Sequence, residues 1–193
     1  MRSLPNIIVT GVPGVGKTTL CEELVEVINK ELQEGQQAEP ASQMKHLNLS
    51  KVIKEERLYE EFDDQLDATI YSNDMVNEKM EKLKLENGGY IIDFHDVDFL
   101  EQKELIDHIF LLTTSTNKLY ERLEKRNYAK EKIKNNIECE IFQVIKEDIL
   151  TFYNDPSIFD ELGNNDMEQY ESNLQLIKGW VLSWAKSGEA LPR

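Results

Sequence analysis

Basic and sulphur chemistry are both scarce in this chain of 193 residues. It holds two cysteines, Cys21 and Cys139, no Cys-x-x-Cys, and three histidines without ligand spacing, which excludes a structural zinc site of the usual kind and leaves the cysteines as free thiols of a reducing compartment. Arginine occurs five times, at 2, 57, 122, 126 and 193, and lysine and arginine together number 22 against 37 acids. The formal charge of −15 repels phosphate backbones at long range and disfavours strong direct nucleic-acid binding; it suits a basic protein partner or serves solubility alone. No apolar run is long enough to span a membrane, and the opening residues enter a strand almost at once, so neither a membrane segment nor a signal peptide is expected. The length suits one α/β domain, about 1–187 with a disordered tail at 188–193.

Against that background one motif stands out. The apolar run Ile7-Ile8-Val9 leads into Gly11-Val12-Pro13-Gly14-Val15-Gly16-Lys17-Thr18-Thr19, a G-x-x-x-x-G-K-T between a predicted strand and a predicted helix. Glycines at this spacing let backbone N–H groups fold around a phosphate. The Lys17 ammonium reaches the β- and γ-phosphates, and the Thr18 hydroxyl can ligate Mg²⁺. The expected ligand is ATP or another nucleoside triphosphate.

Hydrophobic spacing predicts strands at 6–10, 45–49, 90–94 and 108–112. It predicts helices from Lys17 to Gln33, from an N-cap at Ser50 to Tyr59, over 74–86, from Thr116 to Arg126, over 136–152 and over 168–186. Residues 34–44 read as a mobile loop, 127–135 as a polar break, and the chain after Pro156 as irregular. Alternating strands and helices imply a parallel sheet flanked by helices, with ligands at the carboxyl ends of the strands.

Two further groups point to phosphate chemistry. The strand Tyr90-Ile91-Ile92 ends in Asp93, where a P-loop protein places the carboxylate that holds Mg²⁺, and His95 follows as a residue that can orient water or take a proton. Arg122 and Arg126 lie four apart on one predicted helical face, where guanidiniums can neutralise a transferring phosphoryl group. A GTPase is set aside: Asn117-Lys118 lacks the acid two residues on, and Asp96 stands where a switch glycine is needed. The acidic run 60–67 reads as a solvated face, as lining of an acceptor pocket, or as a dock for a basic protein.

Several segments together resemble the small nuclear adenylate-kinase-like family, the coilin-interacting nuclear ATPases whose fungal members act in small-subunit ribosome maturation. They are residues 5–19, Glu55-Glu56-Arg57-Leu58-Tyr59, Asp93-Phe94-His95 with Asp98-Phe99, Leu119-Tyr120-Glu121-Arg122-Leu123-Glu124, and Asn136-Ile137-Glu138-Cys139-Glu140-Ile141-Phe142-Gln143-Val144. The resemblance covers about residues 5–153. It implies a nucleoside-monophosphate-kinase-like P-loop fold with a monophosphate segment near 50–74 and a short lid near 125–135. It implies ATP and Mg²⁺, phosphoryl transfer to AMP, a slower ATPase activity, nuclear and cytoplasmic location, and a basic small-subunit ribosomal protein as partner. Carried over, Pro13 to Thr19 and Arg126 hold ATP, Thr18 and Asp93 hold the metal, and Lys17, Asp93, His95, Arg122 and Arg126 serve catalysis. Lys54 stands where the family pattern has an arginine, and an ammonium cannot grip a phosphate bidentately; Arg57, a turn on, can take that place. Asn127 replaces a lid glycine. Two other readings stay open: an ATP-driven assembly factor with little AMP kinase activity, and a kinase for another nucleoside monophosphate or small metabolite.

Overall fold

The computed structural model describes residues 2–35, 43–63 and 68–187. Seven strands and seven helices are numbered in chain order: β1 (Ile7–Thr10), α1 (Lys17–Gly35), β2 (Lys45–Asn48), α2 (Leu49–Glu56), β3 (Tyr59–Asp63), β4 (Ala68–Tyr71), α3 (Asn73–Leu83), β5 (Tyr90–Asp93), β6 (His108–Thr113), α4 (Thr116–Lys125), α5 (Lys130–Ile141), α6 (Val144–Tyr153), β7 (Phe159–Gly163) and α7 (Met167–Ser187). Five strands form one parallel sheet in the order β2-β5-β1-β6-β7, and β3 pairs with β4 as a separate antiparallel hairpin.

The central strands are apolar because both of their faces are covered. Ile7, Ile8, Val9, Ile91, Ile92, Ile109, Phe110 and Leu112 are fully buried, each such side chain being worth about 1.5–3 kcal/mol of burial. Helix α1 lies against β1, β2 and β5 and packs side by side with α7. The apolar stripe Leu174, Ile177, Val181, Trp184 of α7 is buried, as its helical spacing requires.

Five elements differ from the sequence expectation, each for a local reason. Helix α2 is capped by Asn48 and not by Ser50: the Asn48 side chain accepts from the Lys51 N–H, which places the helix start two residues earlier. It stops at Glu56 because Arg57 turns left-handed (φ 57°), and the chain then forms the β3–β4 hairpin, absent from the expectation. The helix expected over 74–86 ends at Leu83, where Lys84 turns left-handed, and a 3₁₀ turn at Leu85–Asn87 follows. The polar break is largely helical, since α5 starts at Lys130; the expected helix over 136–152 is interrupted at Gln143 (φ 52°). The segment after Pro156 includes β7, which runs parallel to β6. Most of the loop at 34–44, part of the acidic run at 60–67 and the tail at 188–193 lie outside the described residues.

Candidate active site

The site gathers where β1, β5 and β2 end. The loop after β1 turns on residues that only glycine supplies. Gly11 has φ 136°, and a Cβ there would lie 2.4 Å from the Leu112 carbonyl oxygen. Gly16 has φ 103°, and a Cβ there would meet Asn164 Nδ2 at 2.7 Å. The loop delivers Lys17 and Thr18 to the first turn of α1, where the helix N-terminus favours an anion.

Parallel register does the rest. Asp93, the last residue of β5, sits beside Val9 of β1 and Asn48 of β2. Its carboxylate is 3% exposed, so it needs partners, and they converge on Oδ2. The Thr18 hydroxyl donates to it at 2.5 Å and Asn48 Nδ2 at 2.9 Å; His46 Nε2 stands 3.6 Å away. Asn48 Nδ2 also reaches Thr18 Oγ1 at 3.3 Å.

Lys17 folds back into its own loop. Nζ donates to the carbonyls of Gly11 (2.6 Å) and Val12 (3.2 Å). Crowding by protein lowers its pKa to about 8, against the opposing pull of Asp93. An ammonium held this way is suited to a multiply charged anion, which restores its charge. His95 is open to the cleft yet crowded by protein around it. Desolvation and then the Lys17 charge push its imidazole below the ordinary value, so the neutral ring can accept a proton at neutral pH.

These groups line one cleft of about 190 Å³: Pro13, Gly14, Gly16, Lys17, Thr18 and Thr19 from the loop and α1, Asn48 and Ser50, Asp93 and His95, and Arg126 and Tyr128 beyond α4. Val15 is buried behind the loop. Arg126 follows the helix end and is exposed at the cleft.

The structure does not bring every expected residue here. The Arg122 guanidinium is directed to backbone carbonyls, those of Gly14 (3.3 Å), Asn164 (2.9 Å) and Asn165 (3.2 Å). It ties the phosphate loop to the turn after β7; Arg122 and Arg126 therefore do not act as a pair on the cleft. Lys54 and Arg57 are exposed on and just after α2 and do not line the cleft. Cys21, one turn past Lys17, is fully buried, and burial pushes its thiol up, as it does that of half-buried Cys139; both are free.

Four residues beyond the expected set shape the site. Asn48 and His46 were hidden because β2 is short and only register places them beside Asp93. Asn164 and Asn165 lie after β7, the strand that the sequence pattern missed. Asn164 is 4% exposed and donates to the Val15 carbonyl at 2.7 Å, holding the phosphate loop from behind.

A model of the AAA domain family matches residues 7–143. An adenylate kinase isoenzyme 6 homolog of Plasmodium falciparum is 64% identical over 184 residues, spanning 95% of this chain and 98% of that one. The adenylate kinase isoenzyme 6 homolog FAP7 of Saccharomyces cerevisiae is 33% identical over 180 residues, 93% of this chain and 83% of its own. Among solved structures, shikimate kinase from Bacteroides thetaiotaomicron is similar with a TM-score of 0.54 at 17% identity, covering 91% of this chain and 97% of that one, a likeness of fold. A phosphate loop at a strand–helix junction, a strand-end Asp93 against Thr18, and relatives matched over nearly their whole length agree: the chain belongs to the adenylate kinase isoenzyme 6 family of P-loop proteins.

Proposed function

We propose that this protein is a Mg²⁺-dependent adenylate kinase that transfers the γ-phosphoryl group of ATP to AMP, with a slower ATPase activity. The observation that carries the reading is the convergence of Lys17, Thr18, Asp93, His95 and Arg126 on one cleft at the carboxyl ends of the strands. The Thr18 hydroxyl and the Asp93 carboxylate fit Mg²⁺: they are adjacent hard oxygen donors, and this ion takes few protein ligands and keeps waters and phosphate oxygens. Phosphate oxygens and waters would complete the coordination of an ion held by these two residues. Bound there, Mg²⁺ would neutralise charge on the β- and γ-phosphates.

The chain's own groups do the remaining work. Backbone N–H groups of residues 14–18 bind the phosphates, and Lys17 leaves the Gly11 and Val12 carbonyls to reach them. Arg126 covers the nucleotide, and neutral His95 orients the attacking group or accepts its proton. Lys54 on α2 and Arg57 just after it, outside the cleft here, would meet the AMP phosphate once α2 closes toward it. Phosphoryl transfer asks mainly for position and charge, and this is what these residues supply.

A second reading has its own support. Neither Lys54 nor Arg57 lines the cleft, and the net charge is −15, which favours an ATP-driven factor that binds and releases a basic small-subunit ribosomal protein, in nucleus and cytoplasm. Incubation with γ-labelled ATP separates the two. Label in ADP made from AMP supports the kinase, and label only in inorganic phosphate, with ATP-dependent release of a basic ribosomal protein, supports the factor. Acceptance of another monophosphate in place of AMP would redirect the kinase reading to that substrate.

A further inference from the structure

Asn48 holds three groups at once. Its Oδ1 accepts from the Lys51 N–H (2.9 Å) and so caps α2, while its Nδ2 donates to Asp93 Oδ2 (2.9 Å) and to Thr18 Oγ1 (3.3 Å). One amide therefore joins the two residues that fit the metal to the start of the helix that carries Lys54. That helix is short, eight residues, and buries only Leu49 and Ile53, so its cap is a large share of what fixes its first turn.

We propose that Asn48 is a positioning residue that latches α2 to the metal-side pair, and that Mg²⁺·nucleotide releases the latch. The inference rests on the functional reading above. Thr18 Oγ1 has two lone pairs and one hydrogen. In the structure the hydrogen goes to Asp93 and one lone pair accepts from Asn48. Thr18 and Asp93 would hold the cation, which would take the remaining lone pair of Thr18; its charge would then oppose the donor end of the Asn48 amide, whose bond to Thr18 at 3.3 Å is the weaker of the two. The amide would then turn away from the Thr18–Asp93 pair, and because the group is planar its Oδ1 would move off the Lys51 N–H. Helix α2 is freed to approach the acceptor only after the donor and its metal are in place. The side chain thus gives the two substrates an order through the helix that it caps.

The test uses Asn48→Ser. Serine caps a helix as well as asparagine, but its single oxygen cannot reach Lys51 and the Thr18–Asp93 pair in opposite directions. The wild-type protein and the variant are loaded with the non-hydrolysable analogue AMPPNP, and backbone hydrogen exchange of α2 is followed with and without Mg²⁺. The proposal expects exchange at Lys51 and its neighbours to rise severalfold on Mg²⁺ addition in the wild type and to stay within about twofold in Asn48→Ser. Asn48→Ala, which lacks both cap and latch, should exchange fast at Lys51 whether or not Mg²⁺ is present. A Mg²⁺ response of α2 that is the same in wild type and Asn48→Ser, or none in the wild type, overturns the latch while leaving the kinase reading intact. A wild-type protein whose melting point AMPPNP and Mg²⁺ do not raise overturns the functional reading, and the latch with it.

Discussion

Replacing Lys17 by methionine should change the stability of the nucleotide-free protein by an amount that depends on pH, moving in favour of wild type in alkali. Folding lowers the pKa of Lys17 from 10.5 to about 8, a difference of about 2.5 units, or about 3 kcal/mol against the charged form. The sign follows from proton counting. Between about pH 8 and 10.5 the unfolded chain binds the proton that the folded chain has lost, so stability rises with pH through that window. Below about 8 the full penalty stands, and above 10.5 it is gone. Methionine removes the penalty together with the two charge-assisted bonds to Gly11 and Val12, about 1.5–3 kcal/mol each, so the two contributions nearly cancel at pH 7 and the pH dependence carries the information. Other groups titrate in the same range: buried Cys21 and Tyr71 have raised pKa values and weaken the fold in alkali. The informative quantity is therefore the difference between Lys17→Met and wild type, from urea melts at pH 7.0 and 9.5. The difference should shift toward wild type by about 2 kcal/mol between pH 7.0 and pH 9.5. A difference that does not move with pH refutes the account of a lysine crowded by its own loop.

Other outcomes follow from the same contacts. Asn164→Ala leaves the Val15 carbonyl without its buried donor and should cost about 1–3 kcal/mol, read as a fall of several degrees in Tm, with nucleotide affinity lowered as well. Arg122→Ala should act on stability first, since its guanidinium holds three carbonyls: a lowered Tm with KM for ATP changed less than by Arg126→Ala, compared by melts and steady-state kinetics. Asp93→Asn should abolish the Mg²⁺ dependence of ATP affinity in titrations with and without EDTA, because the amide cannot replace the carboxylate beside Thr18. Gly16→Ala should lower nucleotide affinity at least tenfold, as its Cβ would enter the Asn164 amide at a left-handed backbone position.

The sequence made some of this legible and hid the rest for physical reasons. The phosphate loop and β1 are local: glycine spacing and a fully buried apolar run are properties of consecutive residues, and their place in the fold follows from them. Asp93 was legible because an acid closing an apolar strand is conspicuous. Asn48 was not, since its role comes from lying across from Asp93 in a parallel pair, a relation between residues 45 apart. Arg122 was misplaced for the converse reason. Helical spacing put it on a face with Arg126, but the carbonyls it serves belong to Gly14 and to a turn after β7, about forty residues on. That strand, Phe159-Asp160-Glu161-Leu162-Gly163, has a single buried apolar residue, Leu162, so it carries no hydrophobic alternation by which to find it. The β3–β4 hairpin escaped likewise, because acids occupy much of β3 and the left-handed turn at Arg57 has no glycine to announce it.

The measurement that bears most directly on the central claim is ADP formed from Mg·ATP with and without AMP, with Lys17→Ala as the blank. The account predicts strong stimulation by AMP, two ADP for each ATP consumed, and loss of both in the variant. ADP formation that AMP leaves unchanged, or that survives in Lys17→Ala, would contradict it.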